Sequence, residues 1–385
     1  MTQPPQSGPW GAQPPQQPGN WQGYPGGQHG PGPQGQWNPL QQWPNPAPAP
    51  QKKGPLKWVL GAIALIAVIA VTAVVAVSCA GGNGSNNGNG GGTPSPGSKS
   101  DIASANDTGP VSVITEDPSC APWGPINDTV ANIEKNGWDK RDPSISSTAW
   151  SPEMQTLYQT VGTAIRNAAD QTVPLIKLTT HRVMRELFQQ YVAYSRAFAD
   201  RIPTYTIADN NLIVAGATLG SVISGICQSI TFGSAAARGP LVPSAKEPQN
   251  TPMLGEIDKP TRFIEEHNET CTEWKEAVDQ LTADPAFAAW IKEDPNLPAS
   301  SWPPQYLAEN DAVKPVLGRF ADTYERLGRQ SSNAVMEDFG VLAAQYGRAY
   351  ITALPTYTQA DQYLYTVFRK TPGAVSAACE AAGAN

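Results

Sequence analysis

Apolar residues along this chain fall into three regimes. From residue 58 to 77 they run almost unbroken, "WVLGAIALIAVIAVTAVVAV". Twenty such residues at about 1.5 Å each reach roughly 30 Å, the hydrocarbon thickness of a bilayer. On either side of that run, apolar side chains are too sparse to build a core. From about residue 110 they return at helical spacing. In "SPEMQTLYQTVGTAIRNAADQT", Met154, Leu157, Tyr158, Val161, Ile165 and Ala168 share one helix face. Ser151 is placed to cap that helix and Pro152 suits its first position. Over 181–201, Met184, Leu187, Phe188, Tyr191, Tyr194 and Phe198 keep the same rhythm, and Pro203 stops it. Further helices are expected near 127–139 and from 207 to about Cys227. Strand alternation is scarce, so an all-α fold is expected.

The helical pattern occurs twice. Displaced by 152 residues, Trp138 falls on Trp290, Trp150 on Trp302, Asp142-Pro143 on Asp294-Pro295 and Ala169-Asp170 on Ala321-Asp322. Tyr194, Arg196 and Ala197 fall on Tyr346, Arg348 and Ala349, and Cys227 on Cys379. "PTYTIAD" at 203–209 meets "PTYTQAD" at 355–361, and with a one-residue shift "CAPW" at 120–123 meets "CTEW" at 271–274. The outer region therefore reads as a tandem duplication of a bundle of about four helices. The first module spans 110–232 and the second 263–385, with a loop-like stretch at 233–262 between them.

Each module owns two cysteines, one before its first helix and one at its end. A duplicated self-contained unit predicts the disulfides Cys120–Cys227 and Cys271–Cys379. The rival pairing crosses the modules, Cys120 with Cys379 and Cys227 with Cys271.

The recurring motifs invite a structural and a functional reading. Thr206-Ile-Ala-Asp209 and Thr358-Gln-Ala-Asp361 match a capping box before an apolar helix. Tyr205 and Tyr357 then close the bundle end, ring inward and hydroxyl outward. The functional reading makes Tyr194, Arg196, Tyr205, Asp209, Tyr346, Arg348, Tyr357 and Asp361 a binding surface. The stretch W-x3-D-P-x6-W-x-P reads as an ordered connection pinned by two indoles, with Asp142 and Asp294 opening turns, or as an aromatic contact surface. Residues 212–232 are uncharged and long enough to span a bilayer. Their counterpart carries Arg369 and Lys370, so they are read as a buried helix in which Gly216 and Gly220 permit close packing.

Composition sets the topology. Residues 1–51 contain no charged side chain and are mostly Pro, Gln and Gly, with Trp10, Trp21, Tyr24, Trp37 and Trp43 scattered among them. Such a segment cannot offset chain entropy by burial and is expected to be disordered. Lys52, Lys53 and Lys57 precede the 58–77 run, which places the N-terminus in the cytoplasm and the rest outside. The boundaries are a basic flank and span over 52–79 and a Gly/Asn/Ser tether over 80–109. The run ends "AVSC", which admits lipidation of Cys79, although the span reads better as an uncleaved anchor. All 33 acidic residues lie beyond the span with 23 of the 26 basic ones, a balance of −10 that argues against nucleic acid.

No nucleophile elbow, paired-histidine zinc motif, phosphate loop or dinucleotide fingerprint occurs, and no histidine keeps a matched position. No cofactor or metal is expected. The layout of tail, Lys-Lys flank, span and Gly/Asn tether before an Ala-rich domain resembles the proline-rich single-pass membrane proteins of actinobacteria, mycobacteria above all. That resemblance covers the first hundred residues and implies an outer domain without an assigned activity. The expectation is a non-enzymatic cell-envelope protein, single-pass in the cell membrane. Its outer modules would bind a protein, lipid or glycan as an accessory or scaffold subunit. The alternatives are a ligand-sensing receptor, with a cavity lined by Leu212, Ile213 or Phe188, and an envelope hydrolase or transferase using carboxylates.

Overall fold

The computed structural model describes residues 101–383 apart from His267. The tail, the basic flank, the 58–77 span, the tether up to residue 100 and Cys79 lie outside the described residues. Ten α-helices joined by short 3-10 turns make up the fold, and no strand occurs among the described residues. They are α1 (Cys120–Glu134), α2 (Pro152–Leu178), α3 (Arg182–Arg201), α4 (Asn210–Thr231), α5 (Ser234–Arg238), α6 (Thr270–Ala283), α7 (Pro285–Trp290), α8 (Pro304–Gln330), α9 (Ala334–Ala353) and α10 (Gln362–Ala381).

Helix ends follow the capping chemistry of the sequence. The Ser151 side chain accepts from the Met154 N–H at 3.2 Å, and Asn333 does the same for Met336 at 3.1 Å. α3 has no side-chain cap of its own, and Asp107 supplies one from upstream, accepting the Arg182 N–H at 2.6 Å. The first helix differs from the expected 127–139. It starts at Cys120, where Asp117 accepts from the Ser119 N–H, and it stops before Gly137, whose φ of 104° breaks the helix.

The element pattern recurs 152 residues on. α2 and α8 are both 27 residues long, α3 and α9 both 20, and each α3-type helix leads through two 3-10 turns into the next helix. Both halves share one apolar core. Its main seam is α4 against α10, and α3 closes on α4 beside it. A Cβ on Gly216 would lie 3.2 Å from Ser195 Oγ, and one on Gly220 would lie 3.3 Å from the Tyr191 ring, so both glycines set the α3–α4 approach. The stretch Ile207–Thr231 is long and apolar enough to cross a bilayer by length and composition, yet it packs as the central helix, two-thirds buried.

The disulfides are Cys120–Cys227 and Cys271–Cys379, with Cα–Cα distances of 5.2 and 5.7 Å. Each closes one half on itself, which excludes the crossed pairing. Ring closure over 107 or 108 residues removes about 4–5 kcal/mol of unfolded-state entropy per bond on the chain-entropy account.

The described end of the expected tether, 101–109, and the expected inter-module loop are both built into the body. Residues 101–119 form an arm with Val111, Val113 and Ile114 buried, and the Ile114 N–H donates to Tyr346 Oη at 3.2 Å. The 233–262 connection carries α5, because "SAAAR" is a strong helix former, and then runs as a belt. Gln189 donates to the Leu254 carbonyl, Gln345 to that of Pro243 and Arg329 to those of Lys246 and Glu247.

Candidate functional site

Each α3-type helix ends at a proline, and the chain must then turn back with its backbone groups satisfied. The Asp209 carboxylate accepts from the Thr206 N–H at 2.8 Å and its hydroxyl at 2.9 Å, closing a capping box. Asp361 does the same for Thr358, at 2.9 and 3.2 Å. Burial pushes the Asp209 carboxyl up. The Arg201 guanidinium at 2.8 Å and the Thr206 donors outweigh that and hold it below the usual carboxylate range.

The tyrosines of the joints do not expose their hydroxyls. Tyr205 donates to the Pro143 carbonyl at 2.8 Å and Tyr357 to that of Pro295 at 2.7 Å. The tryptophan connection is thereby locked to the joint. Trp150 and Trp302 donate from Nε1 to the Ile145 and Leu297 carbonyls, and Asp142 and Asp294 open Asx turns. Trp150 packs on Tyr158 and Tyr205, and Trp302 on Tyr306 and Tyr357. The two indoles and the repeated motif form one corner per half.

The expected binding surface therefore does not assemble. Tyr194, Tyr205, Tyr346 and Tyr357 are all buried, because their rings fill the core and their hydroxyls bond to backbone. Arg196 pairs with Asp170, and Arg348 with Asp322 and Glu325. Asp361 accepts two bonds from the Arg238 guanidinium, each at 3.0 Å. Each of these eight residues orders the fold at its own position.

The unanticipated feature is a buried charge cluster where α3 crosses α9 under the arm. Arg182 donates from Nε and Nη2 to the two Asp338 oxygens at 2.7 and 3.0 Å. Its Nη1 reaches the Asp107 and Gly109 carbonyls, both at 3.0 Å. Arg185 donates to the Ser104 carbonyl and hydroxyl. Glu186 sits between them, 3.8 Å from Arg182 Nε and Arg185 Nη2, and neither of its oxygens finds a hydrogen-bond donor. Burial, then the nearby Asp338 carboxylate, push Glu186 well above the carboxylate range. Two guanidiniums thus face three carboxyl groups, those of Glu186, Asp338 and Asp107, with Asp338 taking the two-pronged contact and Asp107 lying 3.9 Å from Arg182.

A second buried carboxyl lies at the end of α1. Glu134 is 3 % exposed, and its Oε2 has no hydrogen-bond partner. Burial pushes its pKa up to about 7, against the attraction of Arg141. Arg141 itself lies 3.7 Å over the Trp138 ring and donates to the Trp138 carbonyl and to Asn210.

Reading for exposed polar motifs missed this cluster, since Arg-x-x-Arg-Glu on an amphipathic helix looks like a solvated face. One signal was present: Glu186 and Asp338 are carboxylates at matched positions 152 residues apart. No group of three or more His, Cys, Asp or Glu side chains among the described residues is arranged to hold a metal ion.

Comparison with known proteins places this geometry. The family described as Mycobacterial ESX-1 associated protein matches residues 102–383, which is nearly the whole described body. An uncharacterised protein of Mycolicibacterium smegmatis (strain MKD8) is 41% identical over 346 residues, covering 90% of this chain and 91% of the relative. No solved structure matches the chain.

Proposed function

The chain belongs to the family of mycobacterial ESX-1 associated proteins, and from that premise we propose that it is a non-enzymatic accessory or scaffold component of a secretion assembly in the mycobacterial envelope. It holds a protein partner and performs no chemistry of its own. The observation that carries this reading is the extent of the family match, which covers the helical body from arm to last helix. The body is built for rigidity. Two disulfides staple it, the arm and belt are hydrogen-bonded across it, and Leu212, Ile213 and Phe188 pack in the common core. Core packing at those three positions favours a scaffold over a lipid-sensing receptor. Disulfides persist in oxidising compartments, which supports an extracytoplasmic body behind the 58–77 anchor. In this reading the recurring elements arose by tandem duplication, and the uncharged tail at 1–51 reaches cytoplasmic partners.

The test is a cross-linked pull-down of the intact chain from mycobacterial membranes, repeated on a chain lacking residues 1–51. A secretion-system protein should be recovered with both forms. If neither form retains a protein partner and the purified chain instead carries a bound small molecule, the scaffold reading fails.

A further inference from the structure

Every acidic side chain of the chain lies within the described residues, the first being Asp101. A cation that meets none of them has no side-chain counter-charge in the protein. Lys370 on α10 is such a cation. It is half-buried, no carboxylate pairs with it, and burial, then the neighbouring Arg369, disfavour its charge. The region beyond the span holds 33 acidic side chains, yet none is placed here.

Arg369 is held in position beside it. Its guanidinium carbon lies 5.2 Å from the centre of the Phe287 ring on α7, and the Tyr365 hydroxyl lies against the same guanidinium. Tyr324 on α8 is 0 % exposed, and its hydroxyl has no hydrogen-bond partner. Burial pushes the Tyr324 and Tyr365 phenols up, and the Arg369 charge works against it at both, so the two hydroxyls and the guanidinium share one place.

The first half shows that the fold does not require these groups. Arg369 and Lys370 stand where α4 has Ala217 and Thr218, and Tyr324 and Tyr365 where it has Thr172 and Ile213. Thr218 is nearly buried and returns its hydroxyl to the Val214 carbonyl at 2.6 Å. The second half thus places two adjacent cations and a spare phenol donor where small or neutral residues suffice for packing. Half-burying an ammonium without a counter-charge is unfavourable. A doubly charged oxyanion removes that cost. The guanidinium edge can take two of its oxygens, the ammonium a third, and its charge matches both cations, whereas a carboxylate matches one.

We propose that Arg369 and Lys370, with the Tyr324 hydroxyl beside them, form a site for a phosphate group, carried by a lipid headgroup or free in solution. The inference is independent of the protein-partner reading above.

The test uses the full chain in neutral detergent at fixed ionic strength, followed by thermal unfolding. One probe is inorganic phosphate, and the other is phosphatidic acid in the micelles, with phosphatidylcholine as its control. At about ten times the dissociation constant, the binding probe should raise the unfolding temperature by about 2–4 °C. A response to inorganic phosphate identifies the free anion as sufficient, and a response to phosphatidic acid alone identifies the headgroup. R369A and K370T, which install the residues of the matched positions, should each weaken the response at least about tenfold. Y324F, which removes only the hydroxyl, should weaken it about three- to tenfold. Without any phosphate, K370T should unfold at or above the wild-type temperature, because it removes an uncompensated charge. The proposal is overturned if the wild-type chain answers to neither probe, if chloride gives the same rise as phosphate, or if the variants respond as wild type does. It is also overturned if K370T unfolds below wild type in phosphate-free buffer, which would make Lys370 a structural residue.

Discussion

Glu134 should make the protein more stable in mild acid than at neutral pH, and E134Q should remove the part of that dependence that Glu134 contributes. The carboxyl is 3 % exposed, and burial raises its pKa from 4.5 to about 7. In the unfolded chain Glu134 loses its proton near pH 4.5, whereas in the folded chain it keeps the proton to about pH 7. Its contribution to stability is therefore full below about pH 4.5, falls as pH rises through that interval, and is gone above about pH 7. The interval from 4.5 to about 7, at about 1.36 kcal/mol per pH unit, amounts to about 3 kcal/mol. E134Q carries no charge to desolvate but loses the attraction of Arg141. It should be more stable than wild type by about 2 kcal/mol at pH 7.5 and near parity at pH 4.5. The assay is urea unfolding of the full chain in detergent with its disulfides intact, followed by tryptophan fluorescence at pH 4.5, 6 and 7.5. The comparison of the two chains matters, since Glu186 adds a dependence of the same sign and Asp209, with its lowered pKa, one of opposite sign at the acid end. If E134Q and wild type lose stability in parallel between pH 4.5 and 7.5, the desolvation argument is wrong.

Three other outcomes follow from the same packing. R182A should destabilise the body by roughly 3–5 kcal/mol, because it strands the buried Asp338 carboxylate, and the loss should appear in the urea midpoint. Y205F and T206A should each cost about 1 kcal/mol, through the bond to Pro143 and through the capping box, while leaving helix content by circular dichroism unchanged. Non-reducing peptide mapping should recover Cys120 joined to Cys227 and Cys271 to Cys379. A peptide joining Cys120 to Cys379 would refute the pairing, and removal of either native pair by serine should cost about 4–5 kcal/mol.

Much of the architecture was legible from local pattern. α2 and α3 follow from apolar residues at helical spacing between a serine cap and a proline stop. The repeated Thr-x-Ala-Asp forms the capping box its spacing implies. Matched cysteines gave the right pairing because a unit that recurs with its own cysteines closes on itself. The first helix was misplaced because its start depends on an Asx turn at Asp117, and its end on a backbone conformation at Gly137. The connection at 233–262 looked loose because its hydrogen bonds are made to distant helices, with no local partner to read.

The candidate site was less legible. Tyr194 and Arg196 looked alike as matched polar residues, but one fills the core and the other pairs with Asp170 on its surface. Arg182, Arg185 and Glu186 drew no attention because a charged helix face is ordinarily solvated. Their burial depends on α9 and on an arm some 75 residues upstream in sequence.

The amino-acid sequence by itself determined where α2 and α3 start and stop, that the joints carry a capping box, and that one pattern is written twice, because periodicity, capping and residue matching are local or one-dimensional properties. Only the tertiary structure decided which charges are buried, that α4 is a shared core helix, and which of the two cysteine pairings forms. Burial is set by what arrives from elsewhere in the chain. A guanidinium or carboxyl group has the same local sequence whether water or another helix lies against it.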